Sequence, residues 1–163
     1  MADFSQLVRK MAIECPALRV RQASRVLAKL YDDEFARFGL LSSQLSVLVI
    51  TALFGDTGVT MGRLARALLM DPTTLTRSIR PLERTGLLRV ARAPPDARTK
   101  VVVITRSGER AIEAIFPAWE RVLKRIRKTL GADTLRELHA RLDEVLGLSG
   151  DAERRPGAAL QRG

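Results

Sequence analysis

Five side chains within one short stretch have types and spacing suited to anions and nucleobase edges. In "MDPTTLTRSIRPLERTG", residues 70–86, these are Thr73, Thr74, Thr76, Arg77 and Arg80. They follow a strong helix start, with Asp71 as a capping carboxylate and Pro72 at the first helical position. At about 100° per residue, Thr73, Arg77, Arg80 and Arg84 fall on one side of this helix, and Leu75, Ile79 and Leu82 on the other. A guanidinium can grip a phosphate or both acceptors of a guanine edge, and a threonine offers a hydroxyl and a methyl. Asp96 and Arg98 form a second group in "APPDAR", residues 93–98. The paired prolines cannot supply ladder hydrogen bonds, so they stiffen a loop that carries Arg98 outward. An arginine held this way suits a narrow minor groove. Asp96 either orients Arg98 or Arg92 by an ion pair or serves only as a turn residue.

The overall charge agrees with this chemistry. The chain of 163 residues has a formal net charge of +10. Between Arg63 and Lys100, nine basic residues face three acids, so a local +6 surrounds the proline loop. Such a balance calls for a polyanionic partner, nucleic acid or an acidic membrane surface. The length fits one domain, or a small domain with a helical attachment, and 46% apolar residues can build a core. No apolar run approaches the ~18 residues of a membrane span. The segment "MADFSQLVRKMAIE" lacks the apolar core of a signal peptide, and Cys15 is the sole cysteine, so a reducing, cytoplasmic setting is the expectation.

Other chemistries find little support. With one cysteine and one histidine, no ordinary zinc set forms within a chain. His139 falls on the polar side of a helix and reads as solvated. There is no Ser/His/Asp set, phosphate-cradling glycine loop or paired-acid motif, so neither an enzyme nor a cofactor is expected.

The elements that must position these residues follow from periodicity. Residues 16–38 read as one long helix with Pro16 in its first turn and Gly39 as its stop. "SSQLSVLVITALF" reads as a second, with Ser42 or Ser43 as N-cap and a stripe through Leu45, Leu48, Val49 and Ala52. "TMGRLARALL" is a short helix capped by Thr60, with Leu64 and Leu68 inward. The Asp71 helix ends at Gly86, with Pro81 expected to bend or tighten it. "LLRVAR" and "TKVVVIT" read as a hairpin around the proline loop. A long helix over 106–130 starts at Thr105 and is expected to kink at Pro117, and a last amphipathic helix carries Leu135, Leu138, Leu142 and Val145.

Two helices across a tight turn, then a hairpin with a basic tip, make a winged helix-turn-helix layout in a mainly α chain with a small β-hairpin wing. Over "DPTTLTRSIRPLERTGLLRVARAPPDARTKVVVITRSGERAIEAI" the sequence resembles the MarR family of bacterial transcriptional regulators. The family's marks appear here as "LERTGLL", "DAR" and "ITRSG", with Ile104 where leucine is usual, and the likeness runs over roughly residues 12–147. The resemblance implies a homodimer binding double-stranded DNA at a pseudo-palindromic operator, without a membrane role. It assigns groove reading to Thr73, Thr74, Thr76, Arg77 and Arg80, and the wing contact to Arg98 with Asp96. It also implies a repressor released by a small aromatic or phenolic effector in a crevice between the dimer and DNA-binding regions.

On that reading, residues 1–38 and 106–148 are dimerisation regions, 41–105 the DNA-binding domain, and 149–163 a disordered tail. Alternatives are a non-specific architectural DNA binder, a partner-binding module, and a redox-responsive regulator using Cys15. Aligned on "SRVLAKLY", however, Cys15 falls about two residues before the family's peroxide-sensing cysteine, and Arg19 stands where a tyrosine is expected. Trp119 is expected in the core or the dimer contact, with ligand stacking as the alternative. Arg19, Arg21, Arg25 and Lys29 read as a solvated stripe rather than phosphate contacts or the wall of an anion crevice.

Overall fold

A computed structural model describes residues 3–92 and 99–148. The proline loop with Asp96 and Arg98, and the tail from 149 onward, lie outside the described residues. Among the described residues, seven α-helices and three strands follow in the order α1 (Phe4–Glu14), α2 (Pro16–Phe35), α3 (Ser42–Ala52), β1 (Val59–Thr60), α4 (Met61–Ala67), α5 (Pro72–Arg84), β2 (Leu88–Arg92), β3 (Lys100–Ile104), α6 (Arg106–Leu130) and α7 (Ala132–Gly147). The mainly α winged helix-turn-helix fold expected from the sequence is the one observed.

Several local signals act as the sequence indicates. Pro16 opens α2, and the residue before it, Cys15, is extended at φ −74°, ψ 108°, because a proline excludes its predecessor from the helical region. That break separates α2 from α1, a helix the sequence reading did not anticipate. The reading of one helix over 16–38 is also corrected: α2 ends at Phe35, and a 3₁₀ turn over Ala36–Phe38 runs into Gly39 at φ 66°.

The N-cap of α3 is neither Ser42 nor Ser43 but the Leu41 position. Two side chains take its first amides instead: Gln44 Oε1 accepts from the Leu41 N–H at 2.9 Å, and Asp32 Oδ1, on α2, accepts from the Ser42 N–H at 2.6 Å. The α3 stripe is corrected as well. Val47 and Thr51 are fully buried beside Leu45 and Leu48, while Val49 is 38% exposed. The helix packs against α2 and α6 on one side and α5 and β3 on the other, so it has no single apolar face to read.

The winged domain is built on these contacts. Thr60 caps α4, its Oγ1 accepting from the Arg63 N–H at 3.3 Å. The turn into α5 closes with Met70 N–H donating to the Ala65 carbonyl and Leu69 N–H to that of Arg66. Leu69 stands there at φ 52°, a left-handed position usually given to glycine. Leu75, Ile79 and Leu82 of α5 are buried with Leu48, Leu64, Leu88 and Val102.

The α5 helix passes through Pro81 and ends in a Schellman motif. In that motif the Leu87 N–H donates to Leu82 and the Gly86 N–H to Glu83, with Gly86 at φ 73°. The α6 helix likewise runs through Pro117 unbroken. The hairpin pairs Leu88 with Ile104 through Arg92 with Lys100, and β1, a strand not foreseen, joins the other edge of β3.

Candidate nucleic-acid interface

One side of α5 is committed to the core and the other to solvent. Thr73, Thr74, Arg77, Arg80 and Arg84 are exposed, and Thr76 is half-buried. Asp71 fixes the start of this helix, its Oδ1 accepting from the N–H groups of Thr73 and Thr74, each at 2.9 Å. The Thr74 hydroxyl donates to the other carboxylate oxygen, and this bond does most to hold the Asp71 carboxyl below the usual aspartate range. The Thr76 hydroxyl gives its proton to the Pro72 carbonyl at 2.8 Å. Toward an outside partner, Thr74 and Thr76 therefore present acceptor lone pairs and methyls, while the guanidinium groups of Arg77 and Arg80 supply the donors.

Beside α5, Thr76, Arg80 and Glu83 form one wall of a groove of about 410 Å³, and Arg92 and Lys100 of the hairpin stem form the other. Arg92 and Lys100 are directly opposed across the ladder. Like charges facing each other across strands repel, and an anion seated between them removes the penalty. Three cations against one acid give this groove a net positive charge, which suits phosphate oxygens. The sequence reading did not single out Lys100, nor Arg92 for this role, because only the strand register brings them together. Asp96 and Arg98 belong to the loop beyond that stem, outside the described residues.

A separate crevice of about 530 Å³ lies between α2, α3 and α6. Trp119 lines it and stacks on Phe116, with centroids 5.7 Å apart and planes 21° apart. Trp119 is partly buried against the core cluster, so core packing and crevice lining are one role here. Arg19, Arg21, Arg25 and Lys29 are all exposed, and none lines this crevice. His139 is exposed on α7. Among the described residues, no group of three His, Cys, Asp or Glu could hold a metal ion, and no single helix is long and apolar enough to cross a membrane.

Residues 38–99 match the MarR family profile. The HTH-type transcriptional regulator YwoH of Bacillus subtilis (strain 168) is 34% identical over 97 residues, covering 60% of this chain and 69% of that protein. The chain belongs to the MarR family. Members of this family are transcriptional regulators and not enzymes. The M. tuberculosis transcriptional regulator MosR, solved in complex with DNA, superposes on this MarR-family chain with a TM-score of 0.70 at 30% identity, covering 83% of this chain and 98% of that one. A mutant MarR from E. coli, solved with operator DNA, has the same fold, with a TM-score of 0.74 at 21% identity over 89% of this chain and 99% of that one.

Proposed function

We propose that this MarR-family regulator is a homodimer that binds an inverted repeat in double-stranded DNA, represses transcription there, and lets go when a small effector binds. The observation that carries the reading is the division of α5. Leu75, Ile79 and Leu82 anchor it in the core while Thr73, Thr74, Arg77 and Arg80 are exposed, with Thr76 at the groove edge. A helix held in this way fits the major groove of B-DNA with its first turns toward base edges. Arg92 and Lys100 then meet the phosphates alongside, and Arg98 with Asp96 forms the minor-groove contact of the wing. The DNA bound in the MosR complex supports the same reading.

Uncovered apolar surface supports the dimer and the assignment of residues 1–38 and 106–148 to it. On α1, Phe4 is 79% and Met11 71% exposed, with Leu7, Val8 and Ile13 also open, and Leu148 beyond α7 is 85% exposed. Patches of this kind on a single chain mark a protein contact. Residues 41–105 form the DNA-binding domain, and a DNA partner places the protein in the cytoplasm. The crevice between α2, α3 and α6 touches both regions and is the seat of the effector.

Selection of bound sites from random duplex tests the proposal. The expected product is an inverted repeat, preferred over random DNA by ~1,000-fold or more at moderate salt. Arg77→Ala lowers affinity for that repeat by ~1–3 kcal/mol per half-site, and Arg98→Ala weakens binding evenly across sequences. Equal affinity for random duplex would make the protein an architectural binder. No change with either substitution would remove these residues from the interface.

A further inference from the structure

The charge around the crevice restricts what can enter it. Its walls are mostly apolar, with Phe35, Val49, Ile112, Phe116 and Trp119 among them, and its polar groups are the hydroxyls of Tyr31, Ser42 and Ser46. Among the described residues, no lysine or arginine lines it. Arg121 of α6, two positions after Trp119 in the chain, is paired with Glu34 of α2 through Nε at 3.2 Å and Nη2 at 3.0 Å. Lys29 pairs with Asp33. The charged group tied to the lining itself is an acid, Asp32, whose carboxylate holds the Ser42 N–H. Burial keeps the Tyr31 phenol above the usual tyrosine range, so its hydroxyl stays neutral. The Ser46 hydroxyl donates to the Ser42 carbonyl at 3.0 Å and keeps its lone pairs for an incoming donor. An anion seated against these walls would give up part of its hydration and meet no counter-charge from the lining among the described residues, which is a cost. A flat ring would extend the Phe116–Trp119 stack.

We propose that the crevice selects an uncharged, flat aromatic ligand bearing a hydrogen-bond donor, and rejects aromatic carboxylates. The selection rests on the effector reading above, but it is measured without DNA. Trp119 is the only tryptophan in the chain, so its fluorescence reports occupancy directly. The probes are para-biphenylcarboxamide and para-biphenylcarboxylate, matched in shape and different in charge. They are titrated into the full chain at neutral pH and followed by Trp119 emission and by calorimetry.

The expected result is that the amide binds at least ~10-fold tighter than the carboxylate, the factor that 1.4 kcal/mol represents. Val49→Lys adds a cation to the lining at a position already 38% exposed, and it is expected to reverse the order. Equal or tighter binding of the carboxylate to the unsubstituted protein overturns the proposal and points to a cation supplied by a second copy of the chain. Failure of both probes to bind overturns it as well. Operator binding is measured on the same preparation. Lost DNA binding with intact ligand selection would sink the regulator reading alone.

Discussion

Thr105 joins the end of α5 to the start of α6, and its removal has a calculable effect. Its Oγ1 accepts from the Gly108 N–H at 3.1 Å, which caps α6, and donates to the Gly86 carbonyl at 2.6 Å, at the close of α5. Its backbone N–H reaches the Leu87 carbonyl at 3.2 Å. Thr105→Val keeps the branched shape and the backbone bond and deletes both hydroxyl interactions. Loss of an N-cap costs about 1 kcal/mol. Loss of one neutral hydrogen bond to a carbonyl that water can reach costs about 1 kcal/mol more. The sum of about 2 kcal/mol lowers Tm by roughly 4–8 °C in a chain of this size.

Thermal unfolding followed by circular dichroism, at matched protein concentration because the Tm of the proposed dimer would depend on it, measures the change. Thr105→Ser keeps the hydroxyl and is expected to recover most of the loss. A valine variant within about 1 °C of the unsubstituted protein, or a serine variant as damaged as the valine one, would refute the assignment of the cost to these two bonds.

Two further perturbations follow from the structure. A Cβ on Gly108 would lie 2.2 Å from the Leu87 carbonyl oxygen and 2.8 Å from Ile104 Cγ1, so Gly108→Ala forces the hairpin away from α6. It is expected to cost more than Thr105→Val, whereas Gly62→Ala, whose Cβ would meet only Arg66 Nη1 at 3.9 Å, leaves Tm unchanged or higher. Equal Tm values for the two alanine variants would contradict this packing. The second concerns acid. Asp71 has a folded-state carboxyl held below its unfolded value, so its contribution is complete above the unfolded value and is lost as pH falls through the folded one. The stability difference between the protein and Asp71→Asn is therefore expected to be flat from neutral pH downward and to shrink only below about pH 4. A change centred between about pH 6 and pH 8 would show that another group titrates.

The readable parts of the fold are those with a local cause. Asp71 and Pro72 announce a helix wherever they occur before apolar residues at helical spacing, and α5 starts there. Gly86 must take a left-handed turn, and it does so at the end of α5. Thr60 and Thr105 cap the helices that follow them. The outward set of Thr73, Arg77 and Arg80 follows from the helical period alone once Leu75, Ile79 and Leu82 are known to face inward. Leu69 gave no comparable signal, because its left-handed backbone is imposed by the two helices it joins and not by its side chain.

Capping, periodicity and turn chemistry act over a few residues, so they announce a polar, arginine-bearing helix followed by a hairpin in a basic, helix-rich chain. Which distant groups share a surface is set by packing between elements. Arg92 faces Lys100 through strand register, Asp32 caps a helix ten residues away, and residues of α2, α3 and α6 line a crevice that, among the described residues, has no cation in its walls. These relations depend on how elements far apart in the chain pack together. Local preference carries no record of that arrangement.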